Sequence, residues 1–166
     1  MKITYEVLRE NLSYNQDTGE FTTIHKRGRA LAGSTVGAKA KDGYIQISIF
    51  GSKEYAHRLA WLYKNGEYPK YQIDHINGNK TDNRIENLRD VTTNENSKNR
   101  PKDKHNKNDV VGVSFRGDTK KWRADIHVDK KHISLGSFDN YDDALNARRE
   151  AEITFGFHTN HGRMAA

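Results

Sequence analysis

Apolar and polar residues alternate over 44–50, where three isoleucines are separated by polar side chains. A period of two is typical of a half-buried strand, so we predict a strand there that turns back into residues 54–56. Apolar side chains then recur with helical spacing over 56–64 and stop at Asn65-Gly66, which predicts a helix. Ahead of these elements, residues 1–55 are expected to begin with a short helix and continue as strands.

The alternating pattern returns near the end of the chain. On the middle strand it places Trp122 with three smaller apolar residues on one face and Arg123, Asp125 and His127 on the other. We expect Trp122 to support the core rather than to stack on a base. The pattern predicts a three-stranded antiparallel sheet with one helix on its apolar face. The strands are predicted over 110–115, 122–128 and 132–135, and the helix over 141–155.

Between these two parts, residues 97–109 carry no hydrophobic side chain but five basic and two acidic ones. Such a segment cannot bury a face, so it is predicted to be a linker, either merely solvated or lying along a phosphate backbone. The predicted organisation is a β-rich region with possible DNA contact, a nuclease-like core, a basic linker and a sheet domain. The corresponding ranges are 1–55, 56–100, 101–109 and 110–166.

Composition narrows the possible partners. The 166 residues carry a net charge of +6, with a pI of about 9.4, which favours nucleic acid as the partner. The absence of cysteine excludes disulfides, cysteine zinc sites and cysteine nucleophiles. No signal peptide, membrane span or membrane partner is expected, which indicates a cytoplasmic protein, in the host cytoplasm if it is phage-encoded. RNA is disfavoured because no sheet face is rich in aromatic residues.

Candidate chemistry is concentrated in residues 71–99, which carry Asp, His and Asn around two short predicted strands, 73–76 and 88–91, and a helix capped by Thr93. Carboxylate and amide oxygens suit Mg²⁺ or Mn²⁺, and a neutral histidine can take a proton from water. Phosphodiester hydrolysis needs both, because the ion neutralises charge on the phosphate and the base activates the attacking water. Each residue alone is typical of a turn or a cap; the combination carries the prediction.

This stretch resembles the HNH nuclease family, in the Asp-His…Asn…Asn form found in phage and intron-encoded homing endonucleases. The similarity lies in HRLAW at 57–61, IDHINGN at 73–79 and NRIENLR at 83–89. The resemblance implies a ββα-metal core that cuts duplex DNA.

Carried over residue by residue, the resemblance makes His75 the general base and Asp74 the first metal ligand. Asn87, counted with His75 in the catalytic set, would tie the two strands together through backbone hydrogen bonds. Asn96 would be the second metal ligand where many relatives have histidine, with Asn94 as a competitor for that role. These ligands imply one Mg²⁺ or Mn²⁺ per site rather than Zn²⁺.

The C-terminal part is similar to the plant ethylene-response-factor (APETALA-type) DNA-binding domain, which lays a three-stranded sheet in the major groove. The matching segments are GVSFR, KWRADIH, LGSF and YDDA, between residues 112 and 144. Positions 114, 127 and 134 depart from the plant pattern, so its base code cannot be transferred.

By this resemblance Arg116 and Arg123 are candidates for paired contacts to guanine, and Asp125, His127 and His132 would also face DNA. Lys120, Lys121 and Lys131 would meet phosphates. In the nuclease-like core, His57 and Arg58 are expected either to approach the site or bind phosphate, or to pack at the start of the helix. Arg84 and Arg89 are candidates for phosphate contacts, although each of these two is more often ordinary surface charge. The predicted DNA-binding residues are Arg58, Arg84, Arg116, Lys121, Arg123, His127, Lys131 and His132.

The sequence therefore predicts an α+β protein: a ββα-metal (HNH) core preceded by a small β-rich region and followed by a three-stranded antiparallel sheet plus one helix. The predicted activity is metal-dependent hydrolysis of double-stranded DNA by a site-recognising, nicking homing endonuclease, acting as a monomer. The alternatives are a sequence-preferring DNA-binding regulator with an inactive nuclease core and an accessory protein without sequence preference.

Overall fold

A computed structural model describes residues 3–26, 28–100, 102 and 110–162. The helices in this part of the chain are α1 (Tyr5–Asn11), α2 (Ala56–Asn65), α3 (Thr93–Ser97) and α4 (Tyr141–Thr154). The strands are β1 (Leu12–Tyr14), β2 (Phe21–Thr23), β3 (Thr35–Val36), β4 (Ala38–Lys39), β5 (Ile45–Ile49), β6 (Ser52–Tyr55), β7 (Gln72–His75), β8 (Leu88–Val91), β9 (Val113–Arg116), β10 (Lys121–Val128) and β11 (Lys131–Phe138). The predicted linker 101–109 lies outside the described residues except for Lys102.

These elements form a mixed α and β fold of small antiparallel sheets. The sheet orders are β1-β2-β3, β4-β5-β6, β7-β8 and β11-β10-β9. The chain divides into two compact units, residues 1–93 and 94–166, called here the N-terminal and C-terminal units. The four-part organisation expected from the sequence stays a prediction. None of the helices in the described residues is long and apolar enough to cross a membrane.

The core of the N-terminal unit lies between α1, α2 and the first two sheets. The alternation in β5 has the predicted effect, because Ile47 and Ile49 are buried while the residue between them is exposed. Helix α2 contributes Leu59 and Leu62 to the same core and ends at Gly66, whose φ of 78° gives the left-handed turn that stops a helix. This core supports the sheet that carries the candidate chemistry.

In the C-terminal unit, α4 packs on the sheet β9-β10-β11 around Val113, Ala124 and Ala144. The side chain of Asn140 accepts a hydrogen bond from the Asp143 amide at 2.9 Å and so caps the helix. Trp122 lies against this core, with its ring centroid 4.8 Å from that of Tyr141.

Two strand boundaries of this unit differ from the prediction by three residues, and the others differ by at most one. Strand β9 begins at Val113 rather than at 110, because Val110 to Val113 form a turn and Gly112 has a φ of 79°. Strand β11 runs to Phe138 rather than stopping at 135, since a bulge opposite the Ala124-Asp125 step lets pairing resume at Gly136.

A buried arginine fixes this bulge to the helix. Arg148 of α4 donates from one terminal nitrogen (Nη1) to the backbone oxygen of Asp125 at 2.7 Å and from Nε to Glu152 at 2.9 Å. A Cβ at Gly112 would lie 2.3 Å from the same Asp125 oxygen. Glycine is therefore required where the chain passes under the arginine.

Candidate active site

The hairpin of β7 and β8 presents the two central residues of the predicted motif. Asp74 pairs with Arg89 across the hairpin, and His75 pairs with Leu88. Successive side chains of a strand point to opposite faces, so Asp74 and His75 act from different sides of β7. Both are at least nine-tenths buried, which is unusual for charged or titratable side chains.

His75 lies in a cluster of rings and has one polar partner on the connecting loop. Its ring centroid is 5.1 Å from that of His57 and 5.7 Å from that of Tyr44, and its Nε2 is 3.2 Å from Asn83 Oδ1. Burial lowers the pKa of His75, while the hydrogen bond to Asn83 opposes that shift. The neutral imidazole, the form that can accept a proton, is therefore favoured at pH 7.

The amide of Asn83 selects one tautomer of the imidazole. Asn83 Nδ2 donates to the backbone oxygen of Thr81 at 3.2 Å, and a carbonyl oxygen can only accept. The atom that faces His75 must then be the acceptor Oδ1, so neutral His75 carries its proton on Nε2. The basic lone pair is on Nδ1.

Asp74 is paired with a cation from the neighbouring strand. Its Oδ2 accepts hydrogen bonds from Nε and a terminal nitrogen (Nη2) of Arg89, at 2.9 and 2.7 Å. Arg89 was expected to be a phosphate contact or surface charge, and here it neutralises the carboxylate.

A metal ion at Asp74 stays a prediction, because here the carboxylate is paired with Arg89. Asp74 supplies an oxygen donor of the kind that Mg²⁺ prefers, and water and phosphate oxygens would complete its shell. Among the described residues no three His, Cys, Asp or Glu side chains form a group that could hold a metal.

Asn87 holds the two ends of the loop between β7 and β8 together. Its Oδ1 accepts from the Asn77 amide at 2.9 Å, and its Nδ2 donates to the backbone oxygen of Asp82 at 2.8 Å. Its own backbone oxygen accepts from the Ile76 amide at 2.9 Å. A tie between the strands is what the resemblance implied for this residue, and its part in catalysis stays a prediction.

Asn96, the predicted second metal ligand, is on α3 and belongs to the C-terminal unit. Its competitor Asn94 donates from Nδ2 to Asp129 Oδ1 at 2.6 Å within that unit. Thr93, expected to cap the helix, is the first residue of α3. The pairing of Asn96 with Asp74 as metal ligands stays a prediction.

The two arginines of the N-terminal unit that were predicted to bind DNA are engaged in ion pairs. Arg58 Nε lies 3.4 Å from Glu54. Arg84 binds Asp82 at 2.8 Å and Glu86 at 2.9 Å, and its hydrogen bonds lower the pKa of Asp82 to about 2. Each guanidinium thus already has an acidic partner.

The outward face of the C-terminal sheet brings several predicted DNA-binding residues together. His127 and His132 pair across β10 and β11, with ring centroids 4.9 Å apart. Arg123 and His132 both approach Asp125, at 3.9 and 3.7 Å. The other predicted DNA-binding residues of this sheet occupy different register positions. Arg116 pairs with Lys121, which binds Asp139 at 3.0 Å, whereas Lys131 pairs with Val128 at the turn.

Sequence reasoning missed Asn83 and left His57 open between a site role and a packing role. His57 is buried, its ring stacks on Tyr55 at 5.3 Å, and its Nδ1 has no hydrogen-bond partner among the described residues. Burial lowers the pKa of His57 to about 3, with a smaller contribution from His75. The sequence signal for His57 is its place in the HRLAW segment, because this histidine lies in the first turn of α2, just before the motif.

Part of this chain is similar to known proteins. Residues 54–98, which include the β7–β8 hairpin, match a family model described as HNH endonuclease. Protein 3.8 of Escherichia phage T7 is 34% identical over 84 residues, which cover 50% of this chain and 69% of the phage protein. Residues 54–98 of this chain are an HNH endonuclease family domain. An HNH nuclease hydrolyses phosphodiester bonds and takes DNA as its substrate, generally with a divalent metal ion. No solved structure matches the chain significantly.

Proposed function

We propose that this HNH protein is an endonuclease that hydrolyses duplex DNA with His75 as its general base. The observation that carries the proposal is the setting of that imidazole within the family's domain. It is buried, its burial lowers the pKa of His75, and its Nε2 is 3.2 Å from Asn83 Oδ1. Nδ1 is then the atom that takes the proton of the attacking water.

In the proposed reaction His75 Nδ1 removes a proton from water while the oxygen forms a bond to phosphorus. The bond from phosphorus to the 3′ oxygen breaks on the opposite side, and the leaving oxygen takes a proton from solvent. Asp74 and Asn96 would hold one Mg²⁺ or Mn²⁺, whose charge offsets the negative charge on the phosphate and the leaving oxygen. Asn87 keeps the loop ends in place while these groups act.

We further propose that the protein is a site-recognising, nicking homing endonuclease of phage type, active in the host cytoplasm. The outward face of the C-terminal sheet would read the major groove, with Arg116 and Arg123 as candidates for guanine contacts. Lys121 and Lys131 would meet phosphates there. One chain supplies one His75, so a monomer would cut one strand of the duplex.

Arg58 and Arg84 are proposed as phosphate contacts of the N-terminal unit. Their acidic partners are partly exposed, so exchange of a carboxylate for a phosphate keeps each arginine paired.

The test is a supercoiled-plasmid assay with Mg²⁺, with Mn²⁺ and with chelator, using the native protein, His75→Ala and His25→Ala. His25 is an exposed histidine of the same unit and serves as the matched control. We expect open-circle product that requires metal and is lost in His75→Ala but retained in His25→Ala. Immediate linear product would indicate a dimer, and a DNA mobility shift without cleavage under any condition would favour the regulator with an inactive core.

A further inference from the structure

The hairpin of β1 and β2 reaches the loop that holds His75. Tyr14, at the end of β1, donates from its hydroxyl to the backbone oxygen of Asn83 at 2.6 Å. This bond is buried and joins residues 69 positions apart in the sequence. The β-rich region before α2 therefore has a specific contact with the candidate site, in addition to its share of the core.

A second contact between the hairpin and the loop is made by backbone alone. Gly19, in the turn from β1 to β2, has a φ of 75°, and a Cβ there would lie 2.5 Å from the Arg84 nitrogen and 2.6 Å from the Asn83 carbonyl carbon. The turn thus lies directly on residues 83 and 84, and only glycine allows that approach.

Asn83, which lies between these contacts, is held through its backbone and through both ends of its side-chain amide. Asn83 is 2% exposed, its backbone oxygen is bound by Tyr14, and its side-chain nitrogen is bound to Thr81. Its remaining polar atom, Oδ1, faces Nε2 of His75. A buried amide with both ends bonded has one orientation, because rotation would place two acceptors or two donors face to face.

We infer that Asn83 is the positioning residue for His75, and that Tyr14 and the β1–β2 hairpin hold it in place. The inference rests on the proposed function for the role of His75 in cleavage. Asn83 touches neither water nor DNA in this role. It acts by fixing which imidazole nitrogen carries the proton and the direction in which the other nitrogen points.

The aromatic cluster around Tyr14 supplies a matched control. Tyr63 contacts the rings of Tyr14 and Phe21, with centroids 5.6 and 6.2 Å away. Tyr63→Phe removes a hydroxyl from the same cluster and leaves the Tyr14–Asn83 hydrogen bond intact. A difference between Tyr14→Phe and Tyr63→Phe is then due to the bond and not to the loss of a phenol.

The experiment reads the tautomer directly by ¹H–¹⁵N correlation spectra of the histidine rings in the whole protein. The His75 signals are assigned by their loss in His75→Gln. We expect the native protein to show a protonated Nε2 and an unprotonated Nδ1, and Asn83→Leu to show a mixture of tautomers. Tyr14→Phe should show partial averaging and Tyr63→Phe none.

Cleavage kinetics give the second readout. Asn83→Leu should lower kcat for plasmid nicking by about 10- to 100-fold with unchanged KM, the usual effect of losing a group that orients a catalytic ligand or base. Tyr14→Phe should lower kcat by about fivefold, the equivalent of one hydrogen bond of about 1 kcal/mol. Thermal unfolding of each variant separates these effects from loss of fold.

A single native tautomer and native kcat in a folded Asn83→Leu protein would overturn the inference. If Asn83→Leu does not fold, identical spectra and rates for Tyr14→Phe and Tyr63→Phe would overturn it instead. Absence of cleavage by the native protein would count against the proposed function alone, because the tautomer spectra need neither DNA nor metal.

Discussion

Buried titratable side chains show how much the N-terminal unit depends on single charges. His57 and His75 lie edge to face in one buried cluster, and Nδ1 of His57 is buried without a hydrogen-bond partner among the described residues. Asp74, on the other side of β7, is neutralised by Arg89. The site therefore combines His57, whose protonation is disfavoured by burial, with Asp74, whose charge is balanced by Arg89.

The depressed pKa of His57 predicts a loss of stability in acid. The unfolded chain binds a proton near pH 6.5, whereas the folded chain does so only near pH 3, so protons favour the unfolded state between these values. Stability from this group is complete above pH 6.5 and falls with pH, by at most about 1.4 kcal/mol per unit. The free energy of unfolding in urea should be measured at pH 7, 6 and 5, with hydrogen exchange in α2 as the probe. It should depend less steeply on pH in His57→Phe than in the native protein. Equal slopes in the two proteins would contradict this.

The Asp74–Arg89 pair predicts a link between charge and metal binding. Arg89→Gln leaves a carboxylate that is about nine-tenths buried without its cation, at a cost of about 2–3 kcal/mol. A divalent ion beside Asp74 would replace the missing charge, so Mg²⁺ should raise the melting temperature of Arg89→Gln more than that of the native protein. The comparison variant is Arg84→Gln, whose partner Asp82 also binds Asn77. Equal Mg²⁺ effects on the two variants would place the ion elsewhere.

At the scale of elements, the turn between β1 and β2 is a tightly constrained connection near the site. Gly19→Ala combines an unfavourable positive φ with a contact of 2.5 Å to backbone that cannot move freely, and should cost about 2–4 kcal/mol. Gly51→Ala in the β5–β6 turn is the control, because its φ is 80° but nothing lies within 4 Å of an added Cβ. Thermal unfolding of the two variants separates crowding from conformational strain. Equal losses of stability would mean that the close approach at Gly19 adds nothing to the cost of the positive φ.

The elements that sequence reasoning recovers are those fixed by neighbours in the chain. The isoleucine alternation of β5 and the Gly66 stop of α2 are local signals, and both elements occur where they were predicted. The start of β9 and the extension of β11 depend instead on Gly112 lying under Arg148 and on a bulge, which are contacts made only in the folded unit. The hydrophobic periodicity of the sequence therefore cannot predict these contacts.

The candidate site likewise contains residues that the local sequence predicts and contacts that it does not. The hairpin that carries Asp74, His75 and Asn87 could be recognised because these residues lie within a short stretch of characteristic spacing. The role of Asn83 could not, since it depends on a tyrosine 69 positions away. Nor could the pairing of Arg89 with Asp74, which follows from the register of two strands that a motif does not specify.

At the scale of the whole molecule, each unit has its own apolar core. The cluster built on Leu59, Phe21 and Ile47 belongs to the N-terminal unit, and the cluster built on Val113, Ala124 and Ala144 belongs to the C-terminal unit. Separate cores imply that a lesion in one unit is felt mainly there.

Arg148→Met tests that independence. It removes a buried guanidinium that binds Glu152 and the Asp125 backbone oxygen, and should destabilise the C-terminal unit by about 3 kcal/mol. Hydrogen exchange should quicken in β10 and α4 and stay unchanged in α2 and β5. Faster exchange throughout the chain would show that the two cores unfold together.

The hydrogen bond between Tyr14 and Asn83 also bears on the order of folding. It closes a loop of 69 residues, and closure of a flexible loop of that length costs about 4 kcal/mol in chain entropy. Contacts this distant in sequence are slow to form compared with a local helix such as α2. On the ribosome, Tyr14 is synthesised long before Asn83, and its hydroxyl has to wait for that partner. We therefore expect the nascent N-terminal unit to form its hairpin and helices before this bond, so that the proposed positioning of His75 comes late in folding.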